Sequence, residues 1–339
     1  MLGFQEEHLP MRCYEEIEKR VGAFLWKGTG TSGYAKVAWR DIYRPALEGG
    51  QDLRNIAPLN YALMSKKLCD VIRCDRISIW VEWLYNGGLR DKSVWTVTDN
   101  GGSWGWRKLL RLCPLFRSMV DYQIGDENSF YLWHDPWHHL GPLIERFPQG
   151  PRILGLWTAD KLSSVIIEEQ WHWPLIMDIE CLDILLALPM IHGETDCIIW
   201  RFETGRPTVA SLYRLLDPPR PKVGWSSLLS GSLKIPRHNF ILWLAILGKL
   251  STADKPWLSY LDACILCDEG AMETHTHLFF RCRYARRCLT AIRRIVRFEL
   301  PNREWSRDVE CCKKMERKHI INLAYRALLA ACIYHIWRE

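Results

Sequence analysis

The feature that most constrains this chain is a set of four metal-binding residue types within nineteen positions. Two residues separate Cys264 from Cys267, nine separate Cys267 from His277, and four separate His277 from Cys282. Two thiolates at this spacing can take adjacent corners of a tetrahedron, with Zn–S distances of about 2.3 Å. The imidazole and the third thiolate complete the coordination and leave no position for water. The spacing therefore predicts a structural Zn²⁺ site rather than a catalytic one.

Other interpretations of the same residues stay open at this stage. The chain has 13 Cys, and buried free cysteines are common, so close pairs arise by chance. A C-x-x-C sequence can also be a redox pair, although no βαβ pattern surrounds this one. The histidine ligand has two candidates. The spacing to Cys282 favours His277, with His275 as an exposed neighbour or a group that supports the ligands.

Length and composition restrict the class of protein. The 339 residues are enough for about two domains with a substantial core, and 18 Trp among 48% hydrophobic residues exclude a disordered chain. An odd number of Cys without a signal-peptide pattern argues against a secreted disulfide framework, so we expect a nuclear or cytoplasmic protein. Residues 320–337 are apolar, but Asn322, Arg326 and His335 interrupt them. These interruptions predict a helix that packs in the protein and does not span or bind a membrane.

The positive charge is concentrated near the cysteine motif. From residue 233 onward the chain has 19 Lys/Arg against 11 Asp/Glu, whereas its whole net charge is only +6. A predicted helix after Cys282 carries six arginines on one broad face: Arg283, Arg286, Arg287, Arg293, Arg294 and Arg297. Arg237 and Lys249 add to this charge, and guanidinium groups match phosphate oxygens. RNA or DNA is therefore the predicted partner, and a merely solvated helix face is the alternative. No small-molecule substrate is predicted.

Hydrophobic periodicity predicts a mainly α fold with two small β-hairpins. The hairpins are expected at 120–124 with 130–133 and at 195–202 with 206–209, and a short helix at 162–169. Trp225, Phe240 and Trp243 stand among aliphatic residues, which favours a core position over base stacking. The nearby carboxylates Asp126, Glu127 and Asp135 are explained by a turn and a Trp-rich loop. The longer helices are expected at about 13–26, 58–72, 77–85, 106–112, 236–247, 276–298 and, as a pair, 305–339.

A series of Trp, Gly, Cys and His positions also follows the order of a known family. The matching residues include Phe24-Leu25-Trp26-Lys27-Gly28, Val37-Ala38-Trp39, Glu48-Gly49-Gly50, Trp133-His134-Asp135-Pro136-Trp137, Ile235-Pro236-Arg237, Phe240, Trp243-Leu244, Gly248-Lys249-Leu250, Cys264, Cys267, His277-Leu278-Phe279 and Cys282. With these, the chain resembles the C-terminal region of plant LINE-type (non-LTR) retrotransposon reverse transcriptases. That region includes the reverse transcriptase zinc-binding domain.

The resemblance implies a division of the chain. Residues 1–28 would be a remnant of the end of the polymerase region, 29–150 a Trp-rich helical connector with a hairpin, and 151–201 a linker with short helices. Residues 202–298 would be the zinc-binding domain, organised around the C-C-H-C site, and 299–339 the C-terminal helices. One departure is Gln51-Asp52-Leu53, which follows Gly49-Gly50 where the family usually has Gly-Gly-Leu-Gly.

The same resemblance implies the function. The chain has no adjacent pair of aspartates to hold Mg²⁺ for nucleotide addition. We therefore expect that it is not an enzyme. The predicted function is that of a non-catalytic, zinc-binding and nucleic-acid-binding fragment of a retrotransposon reverse transcriptase. The alternative is a protein-interaction scaffold or an inert relic of the element.

Overall fold

Two compact units make up the part of the chain that the structure describes. The structure is a computed structural model, and it describes residues 11–27, 35–74, 77–97, 102–125, 129–174, 182–192, 195–229, 232–254, 263–297 and 319–339. The central unit holds the described residues of Ile56–Pro218. The terminal unit holds those of Arg12–Asn55 and Pro219–Glu339, so it is built from two separate stretches of sequence.

About half of the described residues are helical, as the apolar periodicity predicts. The α-helices are α1 Met11–Lys27, α2 Trp39–Ile42, α3 Ile56–Ile72, α4 Ile79–Asn86, α5 Trp104–Leu110, α6 Cys113–Arg117, α7 Leu143–Arg146, α8 Gly150–Ile153, α9 Leu182–Leu185, α10 Val209–Leu216, α11 Ser226–Leu229, α12 Pro236–Ile246, α13 Arg283–Ile295 and α14 Ile320–Arg338. Three short 3₁₀ turns, Ala46–Glu48, Val94–Thr96 and Leu162–Ser164, and one π turn, His277–Arg281, complete the helical elements of this part.

Side-chain caps and prolines set the starts of several helices. The Ser103 hydroxyl accepts the Trp106 N–H at 3.3 Å and begins α5. Thr208 and Ser211 form a reciprocal capping box at the start of α10. Pro236 occupies the first turn of α12, where its missing N–H costs no helical hydrogen bond.

Two small two-stranded sheets are present among the described residues, and neither is a predicted hairpin. Strand β1, Val120–Gln123, pairs antiparallel with β4, Cys197–Trp200, from Val120 opposite Trp200 to Gln123 opposite Cys197. The predicted pairings of 120–124 with 130–133 and of 195–202 with 206–209 are therefore wrong. Alternation of apolar residues identifies an extended segment but not its partner, and here the partner is more than seventy residues away.

The second sheet is a short hairpin of β2, Ile166–Ile167, and β3, Gln170–Trp171. It replaces most of the short helix that we predicted at 162–169, of which the 3₁₀ turn Leu162–Ser164 is present. Glu168 and Glu169 form the turn with φ of 52° and 59°. Positive φ at both central positions is typical of a type I′ turn, which usually contains Asn or Gly. Two glutamates give no such signal.

The core of the terminal unit forms between α12 and α14, with residues 37–50 packed into it. Trp243 of α12 is fully buried, and its indole Nε1 donates to the Gly49 carbonyl at 2.8 Å. A Cβ on Gly50 would lie 2.0 Å from the Arg44 carbonyl oxygen, so only glycine fits this turn. Ile42 is also fully buried in this core. The sequence before the central unit thus packs against the helix that precedes the cysteine motif.

Helix α14 is, within the described ranges, the one helix that is long and apolar enough to cross a membrane by length and composition. Tyr325, Leu329 and Ile333 on this helix are buried in the core of the terminal unit. The core helix of a soluble protein passes the same test of composition.

Candidate metal centre

The first two cysteines lie on a tight hairpin. The Cys264 N–H donates to the Ala271 carbonyl at 2.8 Å, and Ala263 forms an antiparallel bridge with Met272. Gly270 has a φ of +59°, which lets the chain return without a side-chain clash. These contacts close the loop that contains Cys264 and Cys267.

The other two residues lie at the two ends of the π turn. The Thr274 hydroxyl accepts the His277 N–H at 3.0 Å, and the Cys282 N–H donates to the His277 carbonyl at 2.7 Å. Five α-helical steps of about 100° would place the two side chains about 140° apart. The wider π turn reduces this angle, because it accommodates one more residue between its hydrogen-bonded groups. His277 and Cys282 can therefore face the same point.

The structure brings the four residues together as a possible metal site. Their ligand atoms all lie within 4.8 Å of one another. Cys264 Sγ is 4.0 Å from Cys282 Sγ, and Cys267 Sγ is 3.3 Å from His277 Nε2. Bonds of about 2.3 Å to sulfur and about 2.0 Å to nitrogen, at the tetrahedral angle, predict separations of about 3.8 Å and about 3.5 Å. The observed distances therefore fit a tetrahedral ion such as Zn²⁺.

The burial of this site is compatible with a structural metal site. Cys264, His277 and Cys282 are buried, and Cys267 is half-buried. Burial is the main cause that raises the pKa of the Cys264 thiol to about 11. A coordinating metal ion stabilises the thiolate that this environment otherwise disfavours. The donor set of three sulfurs and one imidazole is typical of structural zinc sites.

His275 lies outside the set. Its Nε2 is 2.7 Å from the Ala245 carbonyl oxygen, and its ring packs against those of Phe279 and Phe280. Phe279 is fully buried in the same core cluster as Cys264 and Cys282. His275 thus connects the π turn to the end of α12, and His277 supplies the nitrogen near the sulfurs.

A basic cavity of about 750 Å³ runs along α13. Arg283, Arg286, Arg287 and Arg294 line it, and the spacings of three, four and seven place them on one side of the helix. We call this cavity the arginine cavity. Glu269 is the one carboxylate among the described residues that line it. The opposite side of α13 packs on the core through fully buried Ala285 and partly buried apolar residues.

Four cationic residues of the sequence prediction lie outside the arginine cavity. Arg297 follows the end of α13 with a φ of 49°, so the helical spacing no longer applies to it. Arg293 is half-buried on the flank of the helix. The Arg237 guanidinium lies 5.4 Å from the ring centre of Tyr334, and Lys249 is exposed just beyond α12. Ile295, at the end of α13, is 72% exposed and does not belong to the side of the helix that packs on the core.

The sequence also contains a group of nearby carboxylates, Asp126, Glu127 and Asp135. The part of this group that the structure describes has no catalytic geometry. Asp126 and Glu127 lie outside the described residues. Asp135 is buried in the central unit, where its carboxylate accepts hydrogen bonds from the Ser93 hydroxyl and, at 2.8 Å, from the Tyr131 N–H. Burial is the main cause that raises its pKa to about 6. These hydrogen bonds give Asp135 a structural role, which is to hold its own loop in place.

Sequence reasoning missed the residues that support the candidate metal centre. Thr274 stands three positions before His277, which is the spacing of a side chain that caps a helical N–H, and this signal was available. The π turn itself has no comparable sequence signal. This turn determines the angle between the side chains of His277 and Cys282.

The geometry agrees with a comparison to known protein families. Residues 208–288 match the family of zinc-binding in reverse transcriptase. The match covers about a quarter of the chain and includes all four residues of the possible metal site. No curated protein and no solved structure matches the chain. The matched region thus contains the hairpin, the π turn and the first three residues of the arginine cavity on α13.

Proposed function

We propose that this chain uses a structural Zn²⁺ site to hold α13 in place as a contact surface for RNA or DNA. Cys282 carries the proposal, because it belongs to the possible metal site and is also the N-cap residue that directly precedes α13. The Arg286 N–H donates to the Cys282 carbonyl at 2.9 Å. A metal bound by Cys282 would therefore fix the start of the helix that presents the arginines.

Charge supports a nucleic-acid partner. Zn²⁺ with three thiolates and a neutral imidazole has a net charge of −1, and Arg281 and Arg283 flank Cys282 in sequence. The arginine cavity is lined by four guanidinium groups and, in its described part, one carboxylate, Glu269. Guanidinium groups bind phosphate oxygens through paired hydrogen bonds. An RNA or DNA backbone is the partner that suits such a surface.

The proposed role is not catalytic. Four protein ligands leave the metal no open position for a water molecule or a substrate. The sequence contains no adjacent aspartates of the kind that a polymerase needs. Its order of Trp, Gly and Cys motifs supports an origin in a plant LINE-type retrotransposon reverse transcriptase, acting in the nucleus or cytoplasm.

The experiment couples metal content to nucleic-acid binding. The full chain should carry one equivalent of zinc and bind a single-stranded RNA or DNA oligonucleotide, whereas Cys264→Ser with Cys267→Ser should lose both zinc and most of the affinity. Cys13→Ser with Cys288→Ser removes two thiols from the same unit outside the metal site, and should retain both. Zinc is measured by elemental analysis, binding by filter retention, and folding by circular dichroism.

Two outcomes would reject the proposal. If the ligand variant kept its zinc and its melting temperature, the four residues would not form the site. If zinc-loaded, folded protein bound no oligonucleotide at about 50 mM salt, where phosphate contacts are strong, the scaffold or inert-relic alternative would be favoured.

A further inference from the structure

An open groove lined by tryptophans lies in the central unit, outside the matched family region. It has a volume of about 1040 Å³ and is formed by α3, α4, α5 and the 3₁₀ turn Val94–Thr96. That volume is slightly above the range of about 300–1,000 Å³ for pockets that enclose small molecules. Four indoles line the groove: Trp80, Trp83, Trp104 and Trp106. We call it the tryptophan groove.

The four indoles divide into a packed pair and an exposed pair. Trp80 and Trp106 are half-buried and meet edge to face, with ring centres 6.4 Å apart. Trp83 and Trp104 are 67% and 50% exposed. Indole rings usually bury their large apolar surface, so two exposed rings in one groove indicate a contact surface.

The local backbone holds this arrangement in place. A Cβ on Gly102 would lie 2.4 Å from Cδ1 of Trp106, so the chain can approach that ring only because the residue is glycine. Ser103 follows and caps α5, which carries Trp104 and Trp106. The groove is therefore fixed by close packing on the α5 side.

The charge of the tryptophan groove selects its ligand. Lys67 and Lys92 line it, and none of its described lining residues is a carboxylate. The Lys67 ammonium lies 5.6 Å from the ring centre of Trp80, and the Lys108 ammonium lies at the same distance from that of Trp104. A ligand with flat apolar faces and a negative backbone would satisfy both the exposed rings and the lysines. Single-stranded nucleic acid has these properties.

We propose that the tryptophan groove binds single-stranded RNA or DNA by stacking unpaired bases on Trp83 and Trp104, with phosphates near Lys67 and Lys92. This site is separate from the arginine cavity, since its residues belong to the central unit. Binding in the tryptophan groove requires no metal ion, so this proposal can be tested even if the zinc-dependent role is rejected. Stacking is tolerant of sequence because every base has a flat face.

Photo-cross-linking of the full chain tests the proposal. An oligonucleotide of 5-iodouridine is irradiated with the protein, and cross-linked peptides are mapped by mass spectrometry. The experiment is repeated in the Arg286→Gln and Arg287→Gln background, which weakens the arginine cavity. Cross-links at Trp83 and Trp104 are expected in both proteins. Cross-links confined to α13, or to Trp157, which is 80% exposed in the same unit, would overturn the proposal.

Affinity supplies the quantitative control. Trp83→Ala with Trp104→Ala should weaken binding of an oligo(dT) probe by on the order of tenfold or more, because each lost stack is costly. Trp157→Ala should leave binding unchanged. An abasic oligonucleotide of equal length should bind the wild type about as weakly as oligo(dT) binds the double variant. Equal binding of the abasic probe and oligo(dT) to the wild type, or an apolar or proline-rich peptide that binds the groove where oligo(dT) does not, would contradict base stacking.

Discussion

Under the proposed function, the number of arginines in the cavity along α13 sets the salt dependence of the contacts that RNA or DNA makes there. Arg283, Arg286, Arg287 and Arg294 line this cavity. If each contacts one phosphate of a single strand, the four arginines together contribute about −2.8, at about −0.7 per contact, to the slope of the logarithm of the association constant against the logarithm of salt concentration. From about 50 to about 200 mM salt, this contribution weakens binding about 50-fold.

Two double variants distinguish the contribution of the arginine cavity to the salt dependence from the contribution of positive charge elsewhere. Arg286→Gln with Arg287→Gln removes two contacts, so the contribution of the cavity should fall to about −1.4 and the loss that it causes over the same range to about sevenfold. Lys249→Gln with Arg297→Gln removes two positive charges from outside the cavity. This control should keep a slope near that of the wild type.

Fluorescence anisotropy of a labelled oligonucleotide measures the slopes at four or more salt concentrations, with zinc-loaded protein in each case. Circular dichroism checks that both variants remain folded. Equal slopes in the two double variants would show that the cavity has no special role. An unchanged slope after substitution of Arg286 and Arg287 would show that phosphates do not reach them.

Three further predictions concern stability, each measured by urea unfolding. Gly50→Ala should destabilise the terminal unit by about 3 kcal/mol, because its Cβ would meet the Arg44 carbonyl at 2.0 Å; wild-type stability would refute that close approach. Trp243→Phe removes the indole donor to Gly49 and should cost about 2 kcal/mol, and a loss below about 0.5 kcal/mol would show the bond to be unimportant. Burial raises the pKa of Asp135 from 3.8 to about 6, so the unfolded state releases this proton first and stability falls as pH rises through that window. Relative to the wild type, Asp135→Asn should therefore gain about 2 kcal/mol between pH 4 and pH 7, and a pH-independent difference would contradict the shifted pKa.

The helices were largely predictable because their apolar residues recur at helical spacing. Residues 58–72 and 236–247 were expected to be helical, and the structure has α3 at Ile56–Ile72 and α12 at Pro236–Ile246. Ser103 also caps α5, as its position before the apolar run indicates. Local signals suffice for such elements, since their hydrogen bonds close within a few residues.

The strands were not predictable in the same way. Val120 pairs with Trp200, and nothing in either segment specifies the other. The tight turn at Glu168 and Glu169 lacks the Asn or Gly that usually indicates a hairpin. Pairing over long separations depends on the whole chain, so periodicity alone cannot supply it.

For the candidate metal centre, the sequence provides the set of residue types and the structure provides their arrangement. The spacing around Cys264, Cys267 and Cys282 was sufficient to propose a tetrahedral site. The π turn changes the angle between His277 and Cys282, and Arg297 leaves the helical pattern because α13 ends at Ile295. The tryptophan groove had no sequence signal, since Trp83 and Trp104 come from different helices.

The division of the terminal unit between two stretches of sequence has a consequence for protein synthesis. Residues 12–55 leave the ribosome before the central unit, and their packing partners in α12 and α14 follow much later. At about 5–20 residues per second, the wait is about 10–60 s. During that time Ile42 and its apolar neighbours have no core to enter, so the nascent chain should depend on chaperones at this stage. Synonymous codons that slow translation of the central unit would lengthen this exposure and lower the yield of folded protein.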